Sequence, residues 1–293
     1  MDLASLILLL LKLSVALSVL AIGFKATFSE SVYLFRRPML LLRAMLAMNV
    51  VMPLFALLVC VSFDLNPSLK ITLVALSVSP IPPILPNKAL KAGGCENYTI
   101  GLLVATAALS IIAIPAGLGL MEAITGVPFR ISALTVAVVV LTSVLLPLLI
   151  GIAIRTVAPK FADRAAKPVG IVGMVMLLAC FIPILLTSVR AVLTIIGDGT
   201  LLALASFAVV GLVAGHLLGG PQPENRSVLA LATATRHPAV ALTIAQANYP
   251  QQKLAGAMVL VYLVISALFA APYLTWSKRR HPDEVAAEKH VPA

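Results

Sequence analysis

The stretch Pro80-Ile81-Pro82-Pro83-Ile84-Leu85-Pro86-Asn87-Lys88 decides the fold, read together with a second one, Thr233-Ala234-Thr235-Arg236-His237-Pro238. The first sets four prolines in an apolar run and ends on a lysine; the second sets polar residues and an arginine inside another apolar run. Each proline removes a backbone donor and its ring clashes with the carbonyl four residues earlier, so a continuous helix through Pro80–Pro86 is not expected. Freed backbone groups inside a bilayer are tolerated only where protein or a water-filled cavity satisfies them. A charge at that depth costs at least ~2.5–3.5 kcal/mol on insertion scales, so it faces a cavity or a partner. One such interruption lies in each half of the chain. Paired interruptions of this kind point to the binding site of a secondary transporter built from two repeats.

The rest of the chain supplies the membrane. Of 293 residues, 61% are hydrophobic and 11% charged, with a mean hydropathy of +1.08. Soluble domains run at about 45–50% apolar and about 25% charged, so the chain reads as an all-α integral membrane protein. A spanning helix needs about 20 apolar residues, and nine segments qualify: 3–24, 38–61, 71–92, 98–121, 131–155, 168–188, 191–217, 227–247 and 254–276. The first lacks the basic leader and small-residue cleavage site of a signal peptide and reads as a retained helix. Connections are short, with no room for a soluble domain.

The net charge of +10 would suggest nucleic acid only if the basic residues formed a face. They lie mostly between apolar segments, so a lipid bilayer and no nucleic acid is the reading. Cys60, Cys95 and Cys180 are scattered and show neither metal spacing nor a disulfide framework; no cofactor and no metal site are expected. An enzyme is disfavoured, because no His/Cys/Asp cluster, Gly-x-Ser-x-Gly or paired carboxylate lies in a span.

Basic residues also set the topology. Lys25, Arg36, Arg37, Lys91, Arg155, Lys160, Arg164, Lys167, Arg226, Lys278, Arg279 and Arg280 fall in alternate connections. The intervening ones hold only Lys70, Arg130, Arg190 and Lys253. The positive-inside rule then puts the N-terminus outside and the C-terminus in the cytoplasm, in a plasma or inner membrane. Tyr273 and Trp276 suit the cytoplasmic interface.

The first interruption predicts a half-helix, an extended element near mid-membrane and a second half-helix through Asn87–Lys91. Each anomalous residue also has a plainer reading. Pro53, Pro147 and Pro183 taken singly are kinks. Lys88 could snorkel to the interface. Arg236 lies too deep to snorkel easily, and its plainer reading is an ion pair or a carbonyl clamp. His237 alone would more often be a packing residue than a proton carrier.

At these residues the chain resembles the bile acid:sodium symporter family. That family breaks one core helix at Gly-Gly-x-x-Ser-Asn and another at Glu-x-Gly-x-Gln-Asn. The corresponding segments here are Pro82-Pro83-Ile84-Leu85-Pro86-Asn87 and Ala232-Thr233-Ala234-Thr235-Arg236-His237. The run Pro238–Ala245 is also similar, and so is Met48-Asn49-Val50-Val51-Met52-Pro53, in the place of a family Gln-x-x-x-x-Pro segment. The likeness runs over nearly the whole chain. It implies the nine-helix type, with inverted repeats of four and five helices. The first repeat is then 1–124, broken at 80–88, the second is 125–277, broken at 233–238, and 278–293 is a cytoplasmic tail. It further implies that the broken helices cross near mid-membrane, beside sodium sites and the substrate cavity. A core of helices 2–4 and 7–9 would move against a panel of helices 1, 5 and 6.

The departures bear on the ion. The family's sodium-binding serine becomes Pro86, its acidic ligand Ala232, its glutamine Arg236 and its helix-2 glutamine Met48, with Asn49 adjacent; Asn87 survives. A family threonine corresponds to Thr99 or Thr106. None of the eleven acidic residues falls at mid-membrane by these spans. A fixed cation repels sodium by ~4 kcal/mol at about 4 Å for an effective dielectric of about 20. Lys88 and Arg236 therefore read as tethered stand-ins for the two sodium ions. The implied substrate is a small or amphipathic organic anion, with Asn87, Lys88, Arg236, His237, Thr235, Asn49 and Thr106 as its candidate site. Uniport or anion exchange is simpler than a proton route through His237 or Lys88. A non-transporting membrane sensor on the same fold is an alternative. So is an arsenite-type carrier of the wider superfamily, although Cys95 lies at the start of helix 4 and not at the break.

Overall fold

A computed structural model describes residues 3–82, 85–90, 94–125, 132–195, 199–249, 251 and 254–280. Pro83, Lys91, Arg130, Lys253 and the tail from His281 lie outside the described residues, as do the side chains of Asn87, Lys88, Pro183, Arg190, Lys278, Arg279 and Arg280. The elements are α1 (Leu3–Gly23), α2 (Phe28–Ser31), α3 (Pro38–Leu46), α4 (Met52–Ser62), α5 (Pro67–Val78), α6 (Leu85–Leu90) and α7 (Glu96–Thr125). They continue as α8 (Ala133–Val140), α9 (Leu146–Val157), α10 (Pro159–Ile195), α11 (Thr200–Leu218), α12 (Pro223–Ala234), α13 (Pro238–Asn248) and α14 (Leu254–Arg280). No strand occurs among the described residues.

Among the described residues, five helical stretches are long and apolar enough to cross a membrane: Pro38–Ser62, Glu96–Ile124, Leu134–Val157, Thr200–Leu218 and Leu254–Ser277. The apolar helices Lys12–Gly23 and Pro67–Val78 are shorter. The second of these is short because it is half of an interrupted helix.

Proline organises the elements in two ways. At a helix start its missing N–H would be unpaired anyway and its φ is already helical; Pro38, Pro67, Pro223 and Pro238 all occupy a first turn. In mid-span it leaves a carbonyl without its amide. Pro53 and Pro147 each follow a one-turn widening of the helix, at Ala47–Val51 and Leu141–Leu145, in which the bonds reach five residues ahead. The expected kinks at Pro53 and Pro147 thus take the form of wide turns in otherwise continuous helices.

The segment expected as a loop before residue 168 is helical, because α10 begins at Pro159. It runs unbroken to Ile195, past the expected start of the next span at 191. α11 begins after Gly199, whose φ of 75° a glycine adopts without a Cβ penalty.

Apolar burial divides the molecule. The largest cluster draws on α3 to α8 and α11 to α14, with Leu73, Leu103, Phe207, Leu231 and Tyr262 among its fully buried members. Separate clusters join α1 to α9 and α10: Val19, Ile22, Leu148 and Ile152 in one, and Phe24, Ala162 and Ala166 in another. α1 packs chiefly on α10 and α9, and α11 chiefly on α12. Close backbone approach needs glycine here. A Cβ on Gly23 would meet the Gly151 Cα at 2.9 Å, and one on Gly215 would meet the Ala230 Cα at 2.5 Å.

Candidate functional site at the crossing of two interrupted helices

α5 stops at Val78 and the chain extends from Ser79, where ψ is 143°. The helix resumes at Leu85, earlier than the Asn87 expected, because Pro86 falls in the first turn and needs no hydrogen bond there. α12 stops at Ala234, Thr235 and His237 are extended, and α13 starts at Pro238. The two extended pieces meet. The backbone amide of His237 donates to the Pro80 carbonyl at 2.8 Å.

Arg236 reinforces that meeting. Its Nη1 donates to the Ser79 carbonyl at 2.9 Å and its Nη2 to the Met48 carbonyl at 3.1 Å. Both carbonyls lack helical partners for local reasons. Ser79 ends α5. Met48 lies in the wide turn, where the amide five residues on would belong to Pro53, which has none. A guanidinium presents a flat fork of donors, and here the fork ties three segments distant in sequence. The Tyr262 hydroxyl adds a bond to the carbonyl of Ala234, the last residue of α12.

Arg236 is 0% exposed and His237 2%. Among the described residues Arg236 makes no salt bridge; the ion pair present is Arg155 with Asp163, at 2.8 Å. Arg236 Nε and both ring nitrogens of His237 have no hydrogen-bond partner among the described residues. The plainer reading of Arg236, a carbonyl clamp, describes these contacts. Its charge is held by two neutral acceptors, a pairing found for intramembrane arginines.

The other candidates distribute unevenly. Asn49 sits in the wide turn next to Met48, half-buried, with Nδ2 on the Met45 sulfur at 3.2 Å. Thr235 is at the crossing, but its hydroxyl bonds back to the Leu231 carbonyl at 2.6 Å. Thr106 is buried in α7 and donates to the Leu102 carbonyl at 2.8 Å, within its own helix. Thr99 likewise bonds back to the Cys95 carbonyl at 2.7 Å. The backbones of Asn87 and Lys88 belong to α6, and their side chains lie outside the described residues. Among the described residues no group of three or more His, Cys, Asp or Glu side chains could hold a metal ion.

Sequence reasoning passed over the Ser79 and Pro80 carbonyls and Tyr262. Backbone acceptors carry no residue signature. Tyr262 did carry one, a phenol in the middle of an apolar span, since a buried tyrosine hydroxyl needs a partner.

A helical membrane protein with two interrupted helices joined at their breaks has the architecture of a secondary transporter. The pattern of the sodium bile acid symporter family matches residues 12–195, and the chain belongs to that family of membrane transporters. That match takes in the break that begins at Ser79 and ends before the one at Thr235–His237. A search of curated proteins gives no match.

Proposed function

We propose that this protein is a secondary transporter of organic anions that does not couple to sodium at the helix crossing. The observation that carries the reading is the Arg236 fork on the Ser79 and Met48 carbonyls. Backbone oxygens at a helix break are what a hard cation would use as ligands. Here guanidinium hydrogens occupy them, and a bound sodium would lie within a few ångströms of a fixed positive charge. Arg236 acts as the tethered cation, holding the crossing permanently in the form an ion would otherwise induce. Lys88 plays the matching part in the first break.

The substrate is an anion because the crossing carries uncompensated positive charge and faces the N-terminus of α13, whose unpaired amides also favour negative charge. Both Nη groups of Arg236 are engaged, so it attracts the anion through its field. Asn87, Lys88, His237 and Asn49 supply the polar groups that meet the substrate, while Thr235 and Thr106 donate their hydroxyl protons within their own helices. Alternating access moves the helices α3–α7 and α11–α14 against a panel of α1, the continuous α8–α9 helix and α10, with the N-terminus outside and the C-terminus in the cytoplasm.

The test is uptake of a panel of carboxylates into proteoliposomes, with sodium or potassium outside. Saturable uptake equal in both salts is the expected result. Uptake that requires sodium would show that other oxygens build an ion site and overturn the tethered-cation reading.

A further inference from the structure

One exposed stripe of α10 changes character along its length. Lys160, Arg164 and Lys167 are exposed at i, i+4 and i+7, on one face of the helix. The same face continues through Ile171, Val175 and Leu178, which are 53%, 58% and 46% exposed. The opposite face is the packed one: Ala162 and Ala166 are buried against Phe24, and a Cβ on Gly173 would meet the Ser14 carbonyl at 3.0 Å. The stripe is therefore basic for two turns and apolar for the next three, with nothing of the described chain covering it.

The acidic group beside it is already taken. Asp163 pairs with Arg155, which also donates to the Phe24 carbonyl at 2.9 Å. Lys160, Arg164 and Lys167 form no ion pair among the described residues. Lys25 is exposed next to Phe24, whose ring meets that of Phe161 at 6.3 Å, so α1 brings a further cation to the same end. Phe161 itself is 58% exposed, next to Lys160 at the basic end of the stripe.

The geometry points to a binding stripe for an anionic phospholipid on α10, independent of the transport reaction. The phosphate sits among Lys160, Arg164 and Lys167, and the acyl chain lies along Ile171, Val175 and Leu178. Charge complementarity selects the headgroup: basic residues at a membrane surface are attracted to anionic lipid, and a guanidinium matches phosphate oxygens in a bidentate way. The apolar turns select a lipid over a free phosphate.

Native mass spectrometry of the full chain in neutral detergent tests this, with phosphatidylglycerol or phosphatidylcholine added at equal concentration. Retention of phosphatidylglycerol several-fold above phosphatidylcholine is the expected result. Combining Lys160→Gln, Arg164→Gln and Lys167→Gln should bring the two lipids to parity. These side chains are exposed, so the lipid-free melting temperature should stay unchanged. Equal retention by the unmodified protein, or a preference that survives the three substitutions, would overturn the proposal. So would glycerol 3-phosphate raising the melting temperature as much as the intact lipid.

Discussion

The backbone amide of His237 donates to the carbonyl of Pro80, so two helices from opposite halves of the chain are tied to each other at the point where each is interrupted. The bond exists because both interruptions leave extended chain. Pro80 has a carbonyl with no helical partner, and His237 precedes α13 with its amide free of α12. Each break satisfies the other, which is how irregular backbone survives in a protein interior without water.

Arg236→Ala leaves the Ser79 and Met48 carbonyls buried without donors. An unsatisfied buried polar group costs about 1–3 kcal/mol, so thermal unfolding in detergent should move down by several degrees. Arg236→Lys should recover only part of the loss, since one ammonium lacks the fork that spans both carbonyls. Equal melting temperatures for Arg236→Ala and the unmodified protein would count against the clamp.

Tyr262→Phe removes one hydroxyl from the end of α12. The loss should be about 1 kcal/mol or somewhat more, with faster hydrogen exchange at Thr235 and His237 than in the unmodified protein. Exchange that stays unchanged at both positions would mean that the phenol does not hold the break.

Pro53→Ala restores an amide that can compete with Arg236 for the Met48 carbonyl. The wide turn at Ala47–Val51 should tighten and the guanidinium lose one acceptor. Combined with Arg236→Ala, the stability loss should be smaller than the sum of the two single losses, because both act on one carbonyl. Strict additivity in the melting temperatures would separate the two residues.

Gly215→Ala forces a methyl into the backbone of α12 at Ala230. Overpacking of this kind costs about 1–3 kcal/mol. Gly119→Ala is the control, since a Cβ there meets nothing within 4 Å. The two variants should differ clearly in melting temperature, and equal values would argue against the tight α11–α12 contact.

Much of this was legible before any coordinates. Four prolines in Pro80–Pro86 stop a helix whatever surrounds them, because the constraint is local to each ring. The polar run before Pro238 marked the second break for another reason, since polar and charged residues inside an apolar span must face a partner or a cavity. The loop expected at Lys160–Lys167 proved helical, since charge at a membrane edge is compatible with helix or loop and charge alone does not distinguish them. Thr106 and Thr235 looked available as polar ligands, yet both hydroxyls bond to their own helices, a preference of Ser and Thr in apolar surroundings. Arg236 was singled out as a charge, but its partners are carbonyls of Ser79 and Met48, which any residue at those positions would present.

The sequence by itself determined that the chain is a membrane protein, where its two interrupted helices break, and that positive charge lies near those two breaks. These follow from composition and from the covalent geometry of proline, which act over a few residues. Only the tertiary structure decided that the two breaks meet, that a wide turn at Met48 offers a third carbonyl, and that one guanidinium joins them. Backbone hydrogen bonds between distant segments have no side-chain signature, so their pairing exists only once the helices have packed.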